Sequence, residues 1–99
     1  MRRATAEEAA ALLRDGDTLL IGGSGGGHAV PDALLAALGE RFRATGAPRA
    51  ITALHPVGVG DGAARGLGRL AQRGLLRRNV AGSYVNSPPI AAMALRDEI

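Results

Sequence analysis

The chain has 99 residues, 46% of them hydrophobic and 21% charged, which fits one globular domain and not a disordered chain. It has no cysteine, which excludes disulfides and cysteine-based metal sites, and no apolar run near the roughly 18 residues that cross a membrane. All 12 basic residues are arginines and the formal net charge is +3, but aromatic residues make up 2%, too few for the stacking typical of nucleic-acid binding. We therefore expect a cytoplasmic protein that binds neither nucleic acid nor membrane.

The first predicted elements are a helix and a strand. Thr5 and Glu8 have the spacing of a capping box, which predicts a helix that runs through Leu13 and stops at Asp15 and Gly16. The strand covers residues 18–21. It is apolar on both faces, so we expect it to be buried between two helix layers.

A glycine-rich loop follows this strand. Five of the six residues from Gly22 to Gly27 lack a Cβ, and Pro31 then opens a helix that Gly46 ends. A glycine loop between a strand and a helix is typical of a backbone that approaches a ligand closely. A flexible surface turn is the alternative interpretation.

The same arrangement recurs twice along the chain. A second strand, residues 50–54, leads into a glycine loop at residues 55–62, and a short helix is predicted for residues 66–74. Arg65, Arg69 and Arg73 would share a face of that helix, either solvated or binding phosphate. A third strand at residues 77–82 leads through residues 83–87 to a last helix, for which Ser87 is the predicted N-cap.

Strands that recur about every 30 residues predict βαβ units and a parallel sheet whose exit loops gather at one edge. The predicted fold class is therefore α/β: a parallel sheet flanked by helices, made of three βα units. Three strands are fewer than the usual five or six, so we expect the chain to be part of a larger domain.

The loops lack the strict nucleotide-binding motifs. Gly27 is followed by His28 where a Walker A loop needs lysine, and His28 also takes the third-glycine position of the dinucleotide fingerprint. What remains is a set of N–H donors suited to an anion or a developing oxyanion. His28 and His55 are either polar contacts in the crevice or ordinary loop histidines, and Asp61 is expected to form an Asx turn.

Several segments together resemble family I coenzyme A transferases of the propionate/acetate type. Residues 21–35 (IGGSGGGHAVPDALL) are similar to the family's G-G-x-G-x-x-G-x-P-E/D loop and its leucine-rich helix. Residues 54–62 (LHPVGVGDG), 82–88 (GSYVNSP) and the opening 5–10 (TAEEAA) follow in family order and spacing. The loop departs from the family at Ser24, where an aromatic residue is common, and at His28.

The resemblance implies a function that the residues alone do not. It implies that residues 1–99 are the N-terminal portion of a CoA-transferase α domain and are incomplete by themselves. It also implies an oligomer and a complementary β domain or subunit as partner. The family transfers coenzyme A between carboxylic acids through a glutamate of the second half, so acyl-CoA and carboxylate would be substrates, with no permanently bound cofactor and no metal. It implies no catalytic residue in this chain and a substrate-binding set of ten residues: Gly22, Gly23, Ser24, Gly25, Gly26, Gly27, His28, His55, Gly58 and Gly60.

Two further hypotheses stay open on the sequence. One is a non-catalytic α/β domain of the phosphosugar-isomerase-like type that uses the glycine loop for a phosphate or another anion. The other is a degraded fragment with no stable fold.

Overall fold

A computed structural model describes residues 2–23, 29–83 and 85–99 of the chain. In order along the chain, the elements are α1 (Ala6–Ala10), β1 (Thr18–Leu20), α2 (Asp32–Thr45), β2 (Ile51–His55), a 3₁₀ helix (Leu67–Leu70), β3 (Leu76–Ala81) and α3 (Pro88–Leu95). The strands form a parallel sheet in the order β1-β2-β3. The predicted α/β class, with a parallel sheet flanked by helices, is confirmed, and each strand lies within a residue of its predicted bounds.

The helices form one continuous layer. α1 packs on α2, α2 packs on the 3₁₀ helix, and the 3₁₀ helix packs on α3. The core between this layer and the sheet contains Leu38 of α2, Ile51 and Ala53 of β2, Leu70 and Ile90. Right-handed crossovers that all move the same way across a sheet place their helices on one face, which is the observed arrangement.

The prediction that β1 is buried on both faces is wrong for the part of the chain that the structure describes. Leu20 is 70% exposed, and its partners across the sheet, Leu54 and Val80, are 38% and 39% exposed. These three side chains share the face that the helix layer does not cover. We refer to Leu20, Leu54 and Val80 as the open-face row.

Local signals set most element ends. Thr5 caps α1: its hydroxyl accepts from the Glu8 N–H while the Glu8 carboxylate accepts from the Thr5 N–H, each at 3.1 Å. Gly46 ends α2 at φ +74, a left-handed conformation that suits glycine. α1 is shorter than predicted, because Leu12 and Leu13 donate to carbonyls three residues back and the helix tightens into a turn after Ala10.

The predicted helix over residues 66–74 is also shorter, and the shared arginine face is wrong. Gly66 at φ +68 and Gly74 at φ +94 interrupt the helical backbone, which leaves one turn of 3₁₀ helix between them. Only Arg69 of the three arginines lies in that turn. Its guanidinium pairs with Asp32, whereas that of Arg73 pairs with Glu98.

Candidate functional site

The loops that leave β2 and β3 are packed against each other at the carboxyl edge of the sheet. The Gly62 N–H donates to the Asn86 carbonyl at 3.0 Å, and the Ser87 hydroxyl donates to the Val59 carbonyl at 3.5 Å. A Cβ on Gly60 would lie 2.2 Å from the Asn86 carbonyl oxygen, so the two backbones touch with no room for a side chain. The prediction that these loops gather at one edge is therefore confirmed.

Ser87 stands at the N-cap position of α3, as predicted, but its side chain makes no capping hydrogen bond. The hydroxyl turns instead to the Val59 carbonyl of the second loop. Ser87 is 1% exposed, and the Val59 carbonyl that it contacts also accepts from the Leu67 N–H, at 2.8 Å. Ser87 thus joins two loops.

The first loop is described at its two ends only. Gly22 is exposed and has open space where a Cβ would stand. Gly23 has φ +143, and a Cβ there would lie 2.4 Å from the Ala29 carbonyl oxygen, so the ends of the loop meet closely. Ser24, Gly25, Gly26, Gly27 and His28 lie outside the described residues.

Asp32 links the helix that follows the first loop to the turn that follows the second. Its Oδ1 accepts from the Gly66 N–H at 2.7 Å and from Arg69 Nε at 3.2 Å, and its Oδ2 accepts from Arg69 Nη2 at 3.0 Å. The hydrogen bond from the Arg69 side chain, followed by that from the Gly66 N–H, lowers the pKa of Asp32 below its usual 3.8. The reciprocal contact raises the pKa of Arg69. The second loop and the start of α2 are therefore held together by an ionised carboxylate.

His55 lies at the end of β2 on the core side of the sheet, and it is 1% exposed. A carbonyl only accepts, so the ring donates Nδ1–H to the Val57 carbonyl, at 2.7 Å. Nε2 lies 3.0 Å from the side-chain amide of Asn79 on β3. Both ring nitrogens are thus engaged within the protein, and the ring fixes the first residues of the second loop to the neighbouring strand.

Gly58 and Gly60 lie in the second loop, where they face the third. A Cβ on Gly58 would stand 3.2 Å from the Asn86 side chain, a tight contact, and Gly60 is closer still. Both positions serve the packing of the two loops. Asp61 forms the predicted Asx turn, since its Oδ1 accepts from the N–H groups of Ala63 at 2.9 Å and Arg65 at 3.3 Å.

Asp32 and Asn79 are not among the site residues that the sequence indicates. The signal for Asp32 was its place in the loop pattern that resembles the transferases, immediately after Pro31. No local pattern indicates Asn79, because it contacts a partner 24 residues away.

Neither a metal centre nor a membrane span emerges in the described part of the chain. Within residues 2–23, 29–83 and 85–99, no three histidine, aspartate or glutamate side chains group as metal ligands would. None of the described helices has the length and hydropathy needed to cross a membrane.

The arrangement is that of an α/β protein with loops at the carboxyl ends of parallel strands, the usual position for ligands in such sheets. The chain's similarity to known proteins agrees with this class. The family described as coenzyme A transferase matches residues 3–99. The chain therefore belongs to the coenzyme A transferase family.

Individual relatives are known in Escherichia coli. The chain is 36% identical over 95 residues to the acetate CoA-transferase YdiF of strain K12 and, equally, to that of strain O157:H7. The crystal structure of the O157:H7 acyl-CoA transferase YdiF apoenzyme matches 97% of this chain with a TM-score of 0.92 and 35% identity, and that of its thioester complex with CoA matches with a TM-score of 0.93. The match covers 96% of this chain but 18% of the length of the curated relatives, and 19% of the crystallised chains.

Proposed function

We propose that this chain is the N-terminal part of the α domain of an acyl-CoA:carboxylate CoA-transferase, and that it supplies the glycine-rich loop beside the thioester. The observation that carries the proposal is the gathering of the loops at one edge of a parallel sheet in a chain of the coenzyme A transferase family. A related protein that forms a thioester complex with CoA supports CoA as the ligand.

The substrate-facing residues in this proposal are those of the first loop: Gly22, Gly23, Ser24, Gly25, Gly26, Gly27 and His28. Backbone N–H groups of glycines can approach a thioester carbonyl without a side chain in the way, and they stabilise the negative charge that develops on its oxygen during attack. Direct contact with substrate is not assigned to His55, Gly58 and Gly60, because His55 is buried and the two glycines pack against the third loop. They position the second loop instead of touching the acyl group.

The attacking carboxylate comes from outside these 99 residues. Two acidic side chains lie near the loops in the described structure, and both already have hydrogen-bond donors: Asp32 from Gly66 and Arg69, and Asp61 from Ala63 and Arg65. A glutamate of the complementary domain would attack the thioester carbonyl, form an acyl anhydride and release the CoA thiolate. That thiolate would then attack the glutamyl carbonyl of the anhydride, giving a glutamyl-CoA thioester and free carboxylate.

A chimeric enzyme tests this proposal. Residues 1–99 replace the matching segment of the E. coli acetate CoA-transferase YdiF, and CoA transfer from an acyl-CoA to acetate is measured. We expect the chimera to be active and the 99-residue chain alone to be inactive. Transfer by the chain alone, or binding of a sugar phosphate but not of acyl-CoA by the chimera, would overturn the proposal.

A pair of glycine variants of the chimera tests the role of the first loop. Gly23→Ala forces a Cβ against the Ala29 carbonyl, and the resulting loop displacement is expected to cost about a hundredfold in kcat/KM. Gly46→Ala is the matched control, because Gly46 also has a positive φ, +74, but open space around it and a place far from the loops. Equal activity of the two variants would show that the first loop has no part in catalysis.

A further inference from the structure

We propose that Asp32 is a positioning residue for CoA transfer: its carboxylate binds the backbone of Gly66 and thereby fixes the exit of the first glycine loop on the loop that follows β2. The catalytic consequence rests on the proposed function, in which the first loop lies beside the thioester. The link between the two loops does not depend on that function, because it follows from contacts within this chain.

Asp32 is the first residue of α2, yet the hydrogen bonds of its carboxylate lead to another part of the chain. Pro31 stands at the N-cap position of α2 and makes no side-chain capping bond. The Asp32 side chain crosses to Gly66, 34 positions away, whose N–H donates to Oδ1 at 2.7 Å. Arg69 contacts both carboxylate oxygens, at 3.2 and 3.0 Å, and these charged hydrogen bonds hold the carboxylate in that direction. The carboxylate therefore joins the start of α2 to the residues that precede the 3₁₀ helix.

Gly66 is itself fixed to the second loop. It forms an isolated antiparallel bridge with Gly60, and the N–H of the next residue, Leu67, donates to the Val59 carbonyl at 2.8 Å. A Cβ on Gly66 would lie 2.5 Å from that carbonyl oxygen and 2.9 Å from the Gly60 Cα, so the backbones are in direct contact. Gly60 in turn packs on Asn86 of the third loop. The backbone partner of Asp32 therefore belongs to the packed part of this edge of the sheet.

Val30, at the exit of the first loop, is held by both partners of this contact. A Cβ on Gly66 would lie 3.0 Å from Val30 Cγ1, so the Val30 side chain stands against Gly66. The Asp32 N–H donates to the Val30 carbonyl at 2.8 Å. Pro31 lies between Val30 and Asp32, and its ring restricts the backbone that connects them. A movement of Asp32 is therefore passed to Val30 with little slack.

The two ends of the first loop meet immediately before Val30. Ala29 precedes it in the chain, and the Ala29 carbonyl oxygen lies 2.4 Å from where a Cβ on Gly23 would stand. A displacement of Asp32 thus reaches Ala29 through two residues, and Gly23 across this contact. The Asp32 carboxylate sets the base of the first loop.

The effect on the reaction should fall on the chemical step. In the proposed function, N–H groups of the first loop stabilise the charge that develops on the thioester oxygen in the transition state. A misplacement of about 1 Å can cost such groups about a hundredfold in rate. Because an interaction made only in the transition state is weakened, kcat and kcat/KM should fall together while KM changes little.

Paired alanine variants of the YdiF chimera test the proposal. Asp32→Ala removes the carboxylate that binds Gly66. Asp15→Ala is the matched control: Asp15 Oδ1 also accepts a backbone N–H 34 positions away, that of Arg49 at 2.8 Å, but at the amino edge of the sheet, before β1 and β2 begin. Well below the Tm of each variant, we expect Asp32→Ala to lower kcat about tenfold with KM for the acyl-CoA within about twofold. Asp15→Ala should leave both within about twofold of the parent chimera.

Conservative variants separate the charge from the contact with Gly66. Asp32→Glu keeps a carboxylate, and its kcat should lie within about threefold of the parent. Asp32→Asn keeps an acceptor for the Gly66 N–H but loses the charge, and Arg69→Gln removes the guanidinium that holds the carboxylate. Each of these two should lower kcat by about threefold, less than Asp32→Ala does. Both loosen only half of the contact, so they carry the test if Asp32→Ala does not fold.

Proton–nitrogen NMR spectra of the 99-residue chain test the link between the loops without using activity. The amide resonances of Gly23 and Ala29 should shift by more than their line width in Asp32→Ala. They should stay in place in Asp15→Ala, because Asp15 binds at the opposite edge of the sheet.

Several outcomes would overturn the proposal: equal kcat for Asp32→Ala and Asp15→Ala, a raised KM with unchanged kcat, or a kcat for Asp32→Glu as low as that for Asp32→Ala. Parent-like kcat in both Asp32→Asn and Arg69→Gln would also overturn it. An inactive parent chimera would sink the proposed function and the catalytic consequence with it, whereas shifted Gly23 and Ala29 resonances would leave the link between the loops standing. An active chimera with both resonances in place would do the reverse.

Discussion

Gly60→Ala should weaken the chain more than any other glycine-to-alanine change in the second loop. The new Cβ would stand 2.2 Å from the Asn86 carbonyl oxygen and 2.7 Å from the Ser87 hydroxyl, in a buried contact between two loops. Neither atom can move freely, because the Asn86 carbonyl accepts from the Gly62 N–H and the Ser87 hydroxyl contacts the Val59 carbonyl.

The magnitude follows from the two changes that the Cβ forces. Overpacking of a closed interior costs about 1–3 kcal/mol. Displacement of the Asn86 carbonyl also breaks one backbone hydrogen bond, worth about 1 kcal/mol. The free energy of unfolding should therefore fall by about 2–4 kcal/mol, which for a chain of this size corresponds to a Tm lower by roughly 8–32 °C.

Two neighbouring glycines provide matched controls for this variant in urea and thermal unfolding followed by circular dichroism. Gly62→Ala introduces strain at φ +80 but no clash, and should cost about 1 kcal/mol. Gly58→Ala meets the Asn86 side chain at 3.2 Å, which can turn aside, and should cost less than about 1 kcal/mol. If Gly60→Ala unfolds no more easily than Gly62→Ala, the two loops are not packed as described and the reasoning fails.

Two further predictions concern the polar contacts of the site. Asp32→Asn should destabilise the chain at about pH 7 by about 1 kcal/mol, because the amide oxygen can still accept from the Gly66 N–H but no longer carries the negative charge that strengthens this bond and pairs with Arg69. The folded pKa of Asp32 is below 3.8, so this stabilisation is complete well above 3.8 and is lost as the pH falls through the folded pKa. Urea unfolding in a series of decreasing pH should therefore show the variant's deficit constant near about pH 7 and shrinking once the pH is below 3.8. His55→Phe should cost about 1–3 kcal/mol in the same assay, because the Val57 carbonyl loses its donor and Asn79 loses its contact with the ring, and an unchanged urea midpoint would contradict the anchoring role given to His55.

The parts of the fold that the sequence predicts well depend on short-range chemistry. The capping box of Thr5, the left-handed Gly46 and the Asx turn of Asp61 each involve residues within four positions of one another. The strands are recognisable because apolar segments stand between glycine- and proline-rich turns. Because parallel strands all end at the same edge of a sheet, the position of the exit loops can be predicted without information on long-range contacts.

The predictions that fail were made from local patterns, which a contact with a distant residue or a non-helical backbone conformation overrides. Serine before a helix is a suitable N-cap, but the Ser87 hydroxyl donates instead to the Val59 carbonyl, 28 positions away in the chain. The arginine spacing suggests one helix face, but Gly66 and Gly74 turn the backbone out of the helical region at both ends. The bond between Asp32 and Gly66, 34 positions apart, has no local signature at all.

The glycines at this edge of the sheet differ in which segments their close contacts join, and this difference separates stability from catalysis. A Cβ on Gly60 would lie 2.2 Å from the Asn86 carbonyl oxygen, and a Cβ on Gly82 would lie 2.3 Å from that of Pro56. The absence of a side chain at these two positions lets the second and third loops pack together, and we call this pair of loops the support. A Cβ on Gly23 would also meet a carbonyl, that of Ala29 at 2.4 Å, but this contact lies within the first loop, at its exposed base, and Gly23 has a positive φ besides. Substitutions in the support should therefore lower the free energy of unfolding, whereas substitutions in the first loop should lower the kcat/KM of the YdiF chimera with a smaller effect on unfolding. In the proposed function the first loop touches substrate, and it can keep a backbone unsuited to packing because the second and third loops and the Asp32 carboxylate hold the edge of the sheet in place.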